Sequence, residues 1–264
     1  MEKDAEMRTL KELYAYREMI FSLVRRDLKG RYKGSVLGFL WTFLNPLLQL
    51  VVYTLVFSII MKSNIEDYYL YLFVALVPWI FFSTSVTGGA GSVWSQQDMV
   101  KKIYFPREVL PIEFVTSQFV NMLLSLIVVV AVLLISGKGI NLLAFLGLPV
   151  IMIVEYMLSL GIALIVSAMS VYLRDLEYLL AIIMMVWQYM TPVMYSIEMV
   201  PEKLMPIFMM NPMTPVIMAY RDILYYKEFP QLSTLLHATG LGVGLLVIGF
   251  SIFNKLQKRF AEVM

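Results

Sequence analysis

Long apolar runs alternate with short charged stretches along the chain, and this alternation is its main sequence signal. Six of the runs are long enough to cross a bilayer, which takes about 20 predominantly apolar residues in a helix. They lie at about 36–61, 69–87, 111–136, 142–171, 178–196 and 234–254. The pattern predicts an all-α membrane protein with six transmembrane helices.

The region before the first run has the periodicity of a helix. In residues 8–33, apolar side chains such as Leu13, Tyr14, Phe21 and Val24 fall mostly on one face, and basic side chains fall on the other. This arrangement predicts an N-terminal amphipathic helix that lies in the membrane interface. A helix packed on a partner protein is the alternative.

The stretch between the fifth and sixth runs combines prolines with short apolar pieces. Residues 197–233 contain five prolines and the apolar pieces 204–210 and 213–219, neither of which is long enough to span. An exterior loop would be more polar. The stretch therefore predicts re-entrant or interfacial short helices between spans five and six.

Composition supports the membrane class and removes several kinds of site. The chain is 60% hydrophobic and 15% charged, whereas soluble domains average about 25% charged residues. It has no cysteine, which excludes disulfides and thiolate metal sites. A single histidine, His237, cannot form a histidine metal cluster.

The distribution of basic residues predicts the orientation. Most of the 21 Lys and Arg residues fall before the first span, in the connections 2–3 and 4–5, and in the tail. Because such residues are retained on the cytoplasmic side, both termini are expected there. The chain then divides into a cytoplasmic N-terminal amphipathic region (1–34), a transmembrane domain (35–257) and a cytoplasmic tail (258–264).

Catalytic motifs are missing from the sequence. It contains no G-x-x-x-x-G-K-[ST] loop for ATP phosphates and no H-E-x-x-H or G-x-S-x-G pattern, so no catalytic or metal site is predicted. Glu155 is the carboxylate that lies deep in a predicted span, where it is either a proton relay or a hydrogen-bonded structural residue. The structural interpretation is favoured, since a secondary transporter would carry several such groups.

Seven separated stretches resemble the permease subunit of ABC-2 type exporters of polysaccharides, especially the O-antigen and teichoic-acid export permeases. In chain order they are RDLKGRYKGSVLGFLWTFLNP (26–46), LVPW (76–79), MVKKIYFPREVLP (99–111), YLRDLEY (172–178), TPVMY (191–195), NPMTPVIMAYRDILY (211–225) and KRFAEVM (258–264). Each stretch is a weak signal alone, and the specificity lies in the ordered set.

The resemblance implies a homodimer in the cytoplasmic (inner) membrane with two separate ATPase subunits. Those subunits would bind ATP and Mg, so this chain would carry no cofactor and would not be an enzyme. The cargo would be a polysaccharide linked to a polyprenyl diphosphate, and membrane lipid rather than nucleic acid would surround the chain. The rivals are an ABC-2 permease for a lipid or drug, a proton-coupled secondary transporter, and a membrane-embedded enzyme of glycan assembly.

The resemblance also implies that residues 95–111 contact the ATPase subunit. Pro106 and Pro111 bracket a short piece that could move as a rigid lever, and a basic anchor to anionic lipid is the alternative. The expected contact residues are Gln97, Asp98, Lys101, Lys102, Tyr104, Phe105 and Arg107.

Two further groups of residues are expected along the transport path. Spans one and five line the channel in the family, and aromatic rings there can stack on sugar rings, although packing is the alternative role for each. The channel candidates are Trp41, Tyr53, Phe57, Trp187, Tyr189 and Tyr195. The candidates at the cytoplasmic entrance are Arg26, Arg31, Lys33, Arg174 and Asp175, of which the last two could instead form a local ion pair or helix cap.

Overall fold

The computed structural model describes residues 11–32, 36–60 and 64–263, and within these ranges the regular secondary structure is helical. The all-α class predicted from the apolar runs is confirmed. In chain order the α-helices are α1 (Arg17–Tyr32), α2 (Trp41–Thr54), α3 (Tyr68–Ala90), α4 (Gln97–Lys102), α5 (Val109–Ile135), α6 (Leu142–Phe145), α7 (Leu148–Ser170), α8 (Leu176–Tyr189), α9 (Met205–Met210), α10 (Met213–Arg221), α11 (Leu232–Leu256) and α12 (Phe260–Val263).

Five helical segments of the described chain are long and apolar enough to cross a bilayer. Each overlaps a predicted run, and the first continues α2 through a π-helical turn at Leu55–Ile60. The fourth is interrupted by a short break between α6 and α7. The segments are Trp41–Ile60, Tyr68–Ala90, Val109–Ile135, Leu142–Ser170 and Leu232–Arg259.

The fifth predicted span is shorter than expected. Its helix, α8, has 14 residues and ends at Tyr189, whereas the apolar run predicted a span to residue 196. At 1.5 Å per residue the helix is about 21 Å long, short of the roughly 30 Å hydrocarbon core. Pro192 explains the early end, because its ring would clash with the carbonyl of Gln188 in a continued helix.

The short helices predicted between spans five and six are present. The apolar pieces 204–210 and 213–219 form α9 and α10. Pro206 lies at the start of α9, where its missing N–H costs nothing. A π-helical turn, Asp222–Tyr226, follows α10.

The core is built around α3, which is apolar on all sides. Residues 70–79 of this helix are all buried, as expected for a helix without a polar face. It packs against α2, α5, α7, α8 and α10. The first span is much less buried than α3. Of an apolar stretch of 18 residues in each, 11% is buried in the first span and 78% in α3. The first span therefore presents most of its surface to the outside of the chain's own helical bundle.

Helices α7 and α11 approach each other closely at two glycines. A Cβ atom added to Gly161 would lie 2.5 Å from the Leu245 carbonyl carbon, and one added to Gly249 would lie 2.3 Å from the Gly161 carbonyl oxygen. Small residues allow membrane helices to pack backbone against backbone. The glycines thus fix the position of the last span on the fourth.

Apolar side chains of the N-terminal region differ in exposure. Leu13, Leu23 and Val24 are buried, and α1 packs against α5. Tyr14 and Phe21, which the sequence placed on the same face, are 69% and 64% exposed. α5 covers part of the helix, and the predicted position of this amphipathic helix in the membrane interface stays a prediction.

Candidate functional site

The 95–111 segment lies at the end of the bundle where the first and last helices meet. The Tyr16 hydroxyl donates a hydrogen bond to the Tyr104 carbonyl over 3.4 Å. The Arg107 guanidinium donates to the carbonyl of Gln257 at the end of the last span. Both ends of the described chain are therefore tied to this segment.

The predicted contact residues of the segment differ in exposure. Asp98 lies in the first turn of α4, and Lys101 and Lys102 lie in its last turn, which matches the helix dipole at both ends. These three side chains are exposed, and Gln97 and Arg107 are partly buried.

Tyr104 and Phe105 are adjacent, but they face opposite environments. The Tyr104 side chain is 91% exposed and Phe105 is only 5% exposed. Phe105 belongs to the hydrophobic core, so packing is sufficient to explain it. Tyr104 is the residue of this pair that is available to a partner.

Two residues missed by the sequence analysis, Glu108 and Gln257, hold the segment against α11. The Gln257 Nε2 donates to Glu108 Oε1 over 2.6 Å, and Arg107 lies 5.8 Å above the ring of Phe260. Glu108 is only 2% exposed, and burial raises the pKa of its carboxyl despite the hydrogen bond from Gln257. No motif links positions so far apart in the chain.

A groove of about 1140 Å³ runs between the 95–111 segment and the end of α11. Basic side chains outnumber acidic ones along it. The basic side chains are Lys101, Lys102, Arg107, Lys255 and Lys258. The groove therefore suits an acidic surface more than a basic one.

Two of the predicted entrance residues, Arg26 and Arg174, lie around one turn, Trp94–Gln96. Arg26 lines a cavity of about 340 Å³ together with Gln96. The Arg174 guanidinium lies 4.0 Å above the Trp94 ring. These two arginines therefore border the same turn after the second span.

For the other three entrance candidates, the described part of the structure shows no contact that supports a role at the entrance. Asp175 occupies the N-cap position of α8, but its side chain makes no capping hydrogen bond. Arg31 is described only as a residue of α1, and Lys33 lies outside the described residues. The joint entrance role of the five residues stays a prediction.

The channel candidates of the first span lie on a largely exposed helix. Trp41 is 46% exposed, and Tyr53 and Phe57 are half-buried. Phe57 stacks on Tyr68 with the ring centroids 6.1 Å apart. Gln188 of α8 reaches the Tyr53 hydroxyl over 3.5 Å, so the first span and α8 touch at this level.

The candidates near the end of α8 divide into exposed and bonded residues. Tyr189 is 60% exposed. The Trp187 ring packs edge to face on Phe82 at 5.2 Å, and its Nε1 donates to Asn211 Oδ1 over 2.8 Å. The Tyr195 hydroxyl donates to the Tyr189 carbonyl over 2.7 Å. Packing and hydrogen bonding thus account for Trp187 without a channel role.

The irregular turn after α8, residues 190–196, is named here the Pro192 junction. Asn211 ties its first half to the short helices. Its Nδ2 donates to the Met190 carbonyl over 3.0 Å and to Thr191 Oγ1 over 2.8 Å. The same side chain accepts from Trp187, so one amide joins α8, the junction and the start of α10.

Side chains from α3 and α10 bind three successive carbonyls in the second half of the junction. Arg221 donates to the Val193 carbonyl over 2.7 Å and to the Tyr195 carbonyl over 3.2 Å. Tyr68 donates to the Met194 carbonyl over 2.7 Å, and Tyr71 donates to Tyr195 over 3.3 Å. Buried non-helical backbone needs such partners, because an unpaired buried carbonyl costs free energy.

Arg221 is the centre of this arrangement and was not singled out from the sequence. Its side chain is 3% exposed, and its guanidinium lies 3.7 Å above the Tyr71 ring. In the sequence, the one local sign of this role was that Arg221 is a cation that closely follows the apolar piece 213–219.

Glu155 is hydrogen-bonded inside the bundle. Its side chain is fully buried, and the Tyr220 hydroxyl donates to its Oε2 over 2.6 Å. The contact joins α7 to α10. The expected hydrogen bond to a neighbouring helix is present, and the structural role of Glu155, as opposed to a proton relay, stays a prediction.

Comparison with known proteins identifies the family of the chain. The family model described as ABC-2 type transporter matches residues 18–225, and the chain belongs to this family. The resemblance inferred from the seven stretches is confirmed.

Individual relatives cover nearly the whole chain. It is 36% identical over 258 residues to the O-antigen export system permease protein RfbA of Myxococcus xanthus, across 97% of this chain and 99% of the relative. A Klebsiella pneumoniae protein of the same name is 34% identical over 252 residues, across 94% and 95%. The polysialic acid transport protein KpsM of Escherichia coli is 23% identical over 246 residues, across 90% and 93%.

Proposed function

We propose that this chain is the permease subunit of an ATP-driven exporter that moves a lipid-linked cell-surface polysaccharide across the cytoplasmic membrane. The observation that carries the proposal is similarity along almost the entire chain to permeases named for O-antigen export and polysialic acid transport. These relatives share a polysaccharide cargo. A polymer of sugars, carried on a polyprenyl diphosphate, is therefore the proposed cargo of this chain.

Separate ATPase subunits, two per assembly, supply the energy and bind ATP and Mg in this proposal. The sequence has no phosphate-binding loop of its own. The 95–111 segment is the proposed docking surface, supported by the exposure of Tyr104, Lys101 and Lys102. The chain itself performs no catalysis.

The working assembly is a homodimer with the polymer path between protomers. The exposed surface of the first span and of α8 supports this arrangement, with Trp41 and Tyr189 facing out of the protomer. In this arrangement α8 is the fifth of six spans, and the Pro192 junction with α9 and α10 completes its crossing. Both termini lie in the cytoplasm.

The proposal is tested in a host strain from which the gene is deleted. We expect loss of surface polysaccharide, accumulation of lipid-linked polymer inside the cell, and recovery of both with the wild-type chain. An affinity tag on the chain should recover an ATPase subunit, and an ATPase that cannot hydrolyse ATP should fail to restore export. Export that continues with the inactive ATPase would indicate a secondary transporter. Normal surface polysaccharide in the deletion strain would indicate a different cargo.

A further inference from the structure

The turn that precedes α8, residues 171–175, contacts the start of the 95–111 segment. Arg174 in this turn lies with its guanidinium 4.0 Å above the ring of Trp94, which is far from it in the chain. Trp94 begins the short turn Trp94–Gln96, and α4 follows this turn directly. The contact therefore joins the start of α8 to the start of the segment that the proposed function assigns to ATPase docking.

The same turn reaches the other end of the 95–111 segment through the last helix. The Tyr172 hydroxyl donates to the Leu256 carbonyl at the end of α11 over 2.8 Å, and the centroids of the Tyr172 and Phe260 rings are 6.1 Å apart. The Phe260 ring also lies under the guanidinium of Arg107 in the segment. Both ends of the segment are thus connected to the residues that lead into α8.

The ends of α3 and α7 form a fixed point beside these contacts. Ser170, the last residue of α7, is 2% exposed and donates to the Ala90 carbonyl at the end of α3. A Cβ atom added to Gly91 would lie 3.0 Å from Glu177 Oε1 in the first turn of α8. The three helices therefore meet at this level, and the 171–175 turn joins two of them.

Helix α8 has little of its own surface buried. Leu180 and Met184, one helical turn apart, are its buried residues, and its other side chains are partly or fully exposed. Because few of its side chains pack on the bundle, the position of α8 depends strongly on the contacts at its two ends. At its far end these contacts involve Asn211, and at its start they involve Arg174.

We propose that Arg174 and Trp94 are positioning residues that transmit a displacement of the 95–111 segment to α8. When the ATPase subunit moves the segment, Trp94 carries the guanidinium with it, and the start of α8 shifts relative to the fixed ends of α3 and α7. The inference rests on the proposed function, in which the segment binds the ATPase and α8 lies beside the polymer path. It gives Arg174 a role in energy coupling.

The test uses the permease–ATPase complex in inverted membrane vesicles, with lipid-linked polymer purified from the producing cells as the probe. ATP hydrolysis and polymer uptake are measured together over a range of polymer concentrations in wild type, Trp94→Leu and Arg174→Met. We expect the polymer moved per ATP hydrolysed to fall about threefold in each variant, which is the scale of an exposed cation–π contact. The half-saturating polymer concentration, the affinity for the ATPase and the amount of assembled complex should stay unchanged.

Conservative and paired variants separate transmission from general damage. Arg174→Lys keeps a cation over the ring and should lose less coupling than Arg174→Met. In the double variant of Trp94→Leu and Arg174→Met, the loss should equal that of either single variant, because both changes remove the same contact. If Trp94→Leu lowers assembly, the Arg174 variants carry the test, since that side chain is exposed.

Arg259→Met is the matched control. It removes an exposed positive charge close in the chain to the end of α11 without changing any residue of these contacts. This variant should move as much polymer per ATP as wild type. A loss as large as that of Arg174→Met would mean that total positive charge, and not the contact with Trp94, sets the coupling.

Four further results would overturn the inference. Equal coupling in Arg174→Met and wild type would show that the contact only packs the turn. A higher half-saturating polymer concentration with unchanged coupling would assign Arg174 to the cargo entrance, and a weaker affinity for the ATPase would assign it to docking. Fully additive losses in the double variant would mean that the two residues act separately. A wild-type complex that neither takes up polymer nor binds an ATPase would instead reject the proposed function itself.

Discussion

The Pro192 junction and the 95–111 segment are both connections between helices, but their contacts differ sharply. In the junction, Arg221, Tyr68 and Tyr71 bind three successive carbonyls from inside the protein. In the 95–111 segment, the Tyr104 carbonyl accepts from Tyr16 and the Glu108 carboxylate accepts from Gln257, while the Tyr104 side chain is 91% exposed. The carbonyls of the junction are hydrogen-bonded within the chain, whereas the 95–111 segment leaves an aromatic side chain available to a partner.

In the proposed arrangement, the difference follows from the solvent that each connection meets. Irregular backbone at membrane depth must find its hydrogen bonds within the protein, since lipid offers none. A connection at the aqueous end can bond to water and keep a surface for a partner. We therefore expect changes in the junction to affect the permease itself, and changes at Tyr104 to affect only its association with the ATPase.

The largest effect is expected from Arg221→Met. It leaves the Val193 carbonyl without its donor, at about 1–3 kcal/mol, and removes a desolvated cation–π contact worth about 2 kcal/mol. Assembled permease in the membrane should fall at least about tenfold, and Arg221→Lys should recover part of it. Arg259→Met, which changes an exposed arginine near the C-terminal end of the chain, is the control for loss of charge. Equal amounts of assembled protein for Arg221→Met and Arg259→Met would contradict the role given to Arg221.

A second prediction separates Phe105 from Tyr104. Phe105→Ala removes a buried ring and should cost about 3 kcal/mol, lowering the melting temperature of the purified permease. Tyr104→Ala should leave the melting temperature unchanged and weaken binding of the ATPase subunit about tenfold, as for an exposed aromatic anchor of an interface. Thermal denaturation and a binding titration measure the two effects. Equal ATPase affinity for Tyr104→Ala and wild type would show that the partner docks elsewhere.

The contrast between these neighbours also shows how far the sequence could lead. Apolar length predicted the helices, and the ordered stretches predicted the family. Pro192 could have predicted the end of α8, but the predicted span followed the apolar run to residue 196. The role of Arg221 could not be predicted from the sequence. Its acceptor carbonyls lie 26 and 28 residues away in the chain, in an irregular turn whose path no local periodicity predicts. The burial of Phe105 likewise depends on what packs over it.

A smaller effect is expected from Asn211→Leu, which separates α8 from the junction. It removes the hydrogen bonds to Trp187, Met190 and Thr191, two of which involve side chains that can find other partners. We expect a loss of about 1–2 kcal/mol in stability and a parallel fall in export. Trp187→Phe should lose about half as much and add little to Asn211→Leu in the double variant.

Tyr189→Ala is the matched change for a channel role in this region. Its side chain is 60% exposed, so assembly should be unaffected. Reduced export with a normal amount of assembled complex would support Tyr189 as part of the polymer path. Full export would leave Tyr189 without that role.

For the pair Asn211→Leu and Trp187→Phe, losses of stability that add fully in the double variant would contradict the coupling. They would mean that the amide and the indole stabilise the junction independently.

The smallest effect concerns Asp222, which follows Arg221 at the end of α10. Burial, and then the charge of Glu228, raises the pKa of Asp222 from its ordinary value of 3.8 to about 6. Because the folded protein binds this proton more tightly than the unfolded chain, its contribution to stability is complete below about pH 4 and is lost as the pH rises through 6. The side chain is partly exposed, so water screens the effect to about 1 kcal/mol, or 2–4 °C in melting temperature.

Melting temperatures of wild type and Asp222→Asn between pH 4 and pH 7 measure this contribution. Wild type should lose stability relative to the variant across that range, and Glu228→Gln should remove the smaller, electrostatic part of the difference. Parallel curves for wild type and Asp222→Asn would mean that Asp222 faces water. Burial would then stop at Arg221, the last residue of α10. The Pro192 junction would differ from the 95–111 segment only in its three hydrogen-bonded carbonyls.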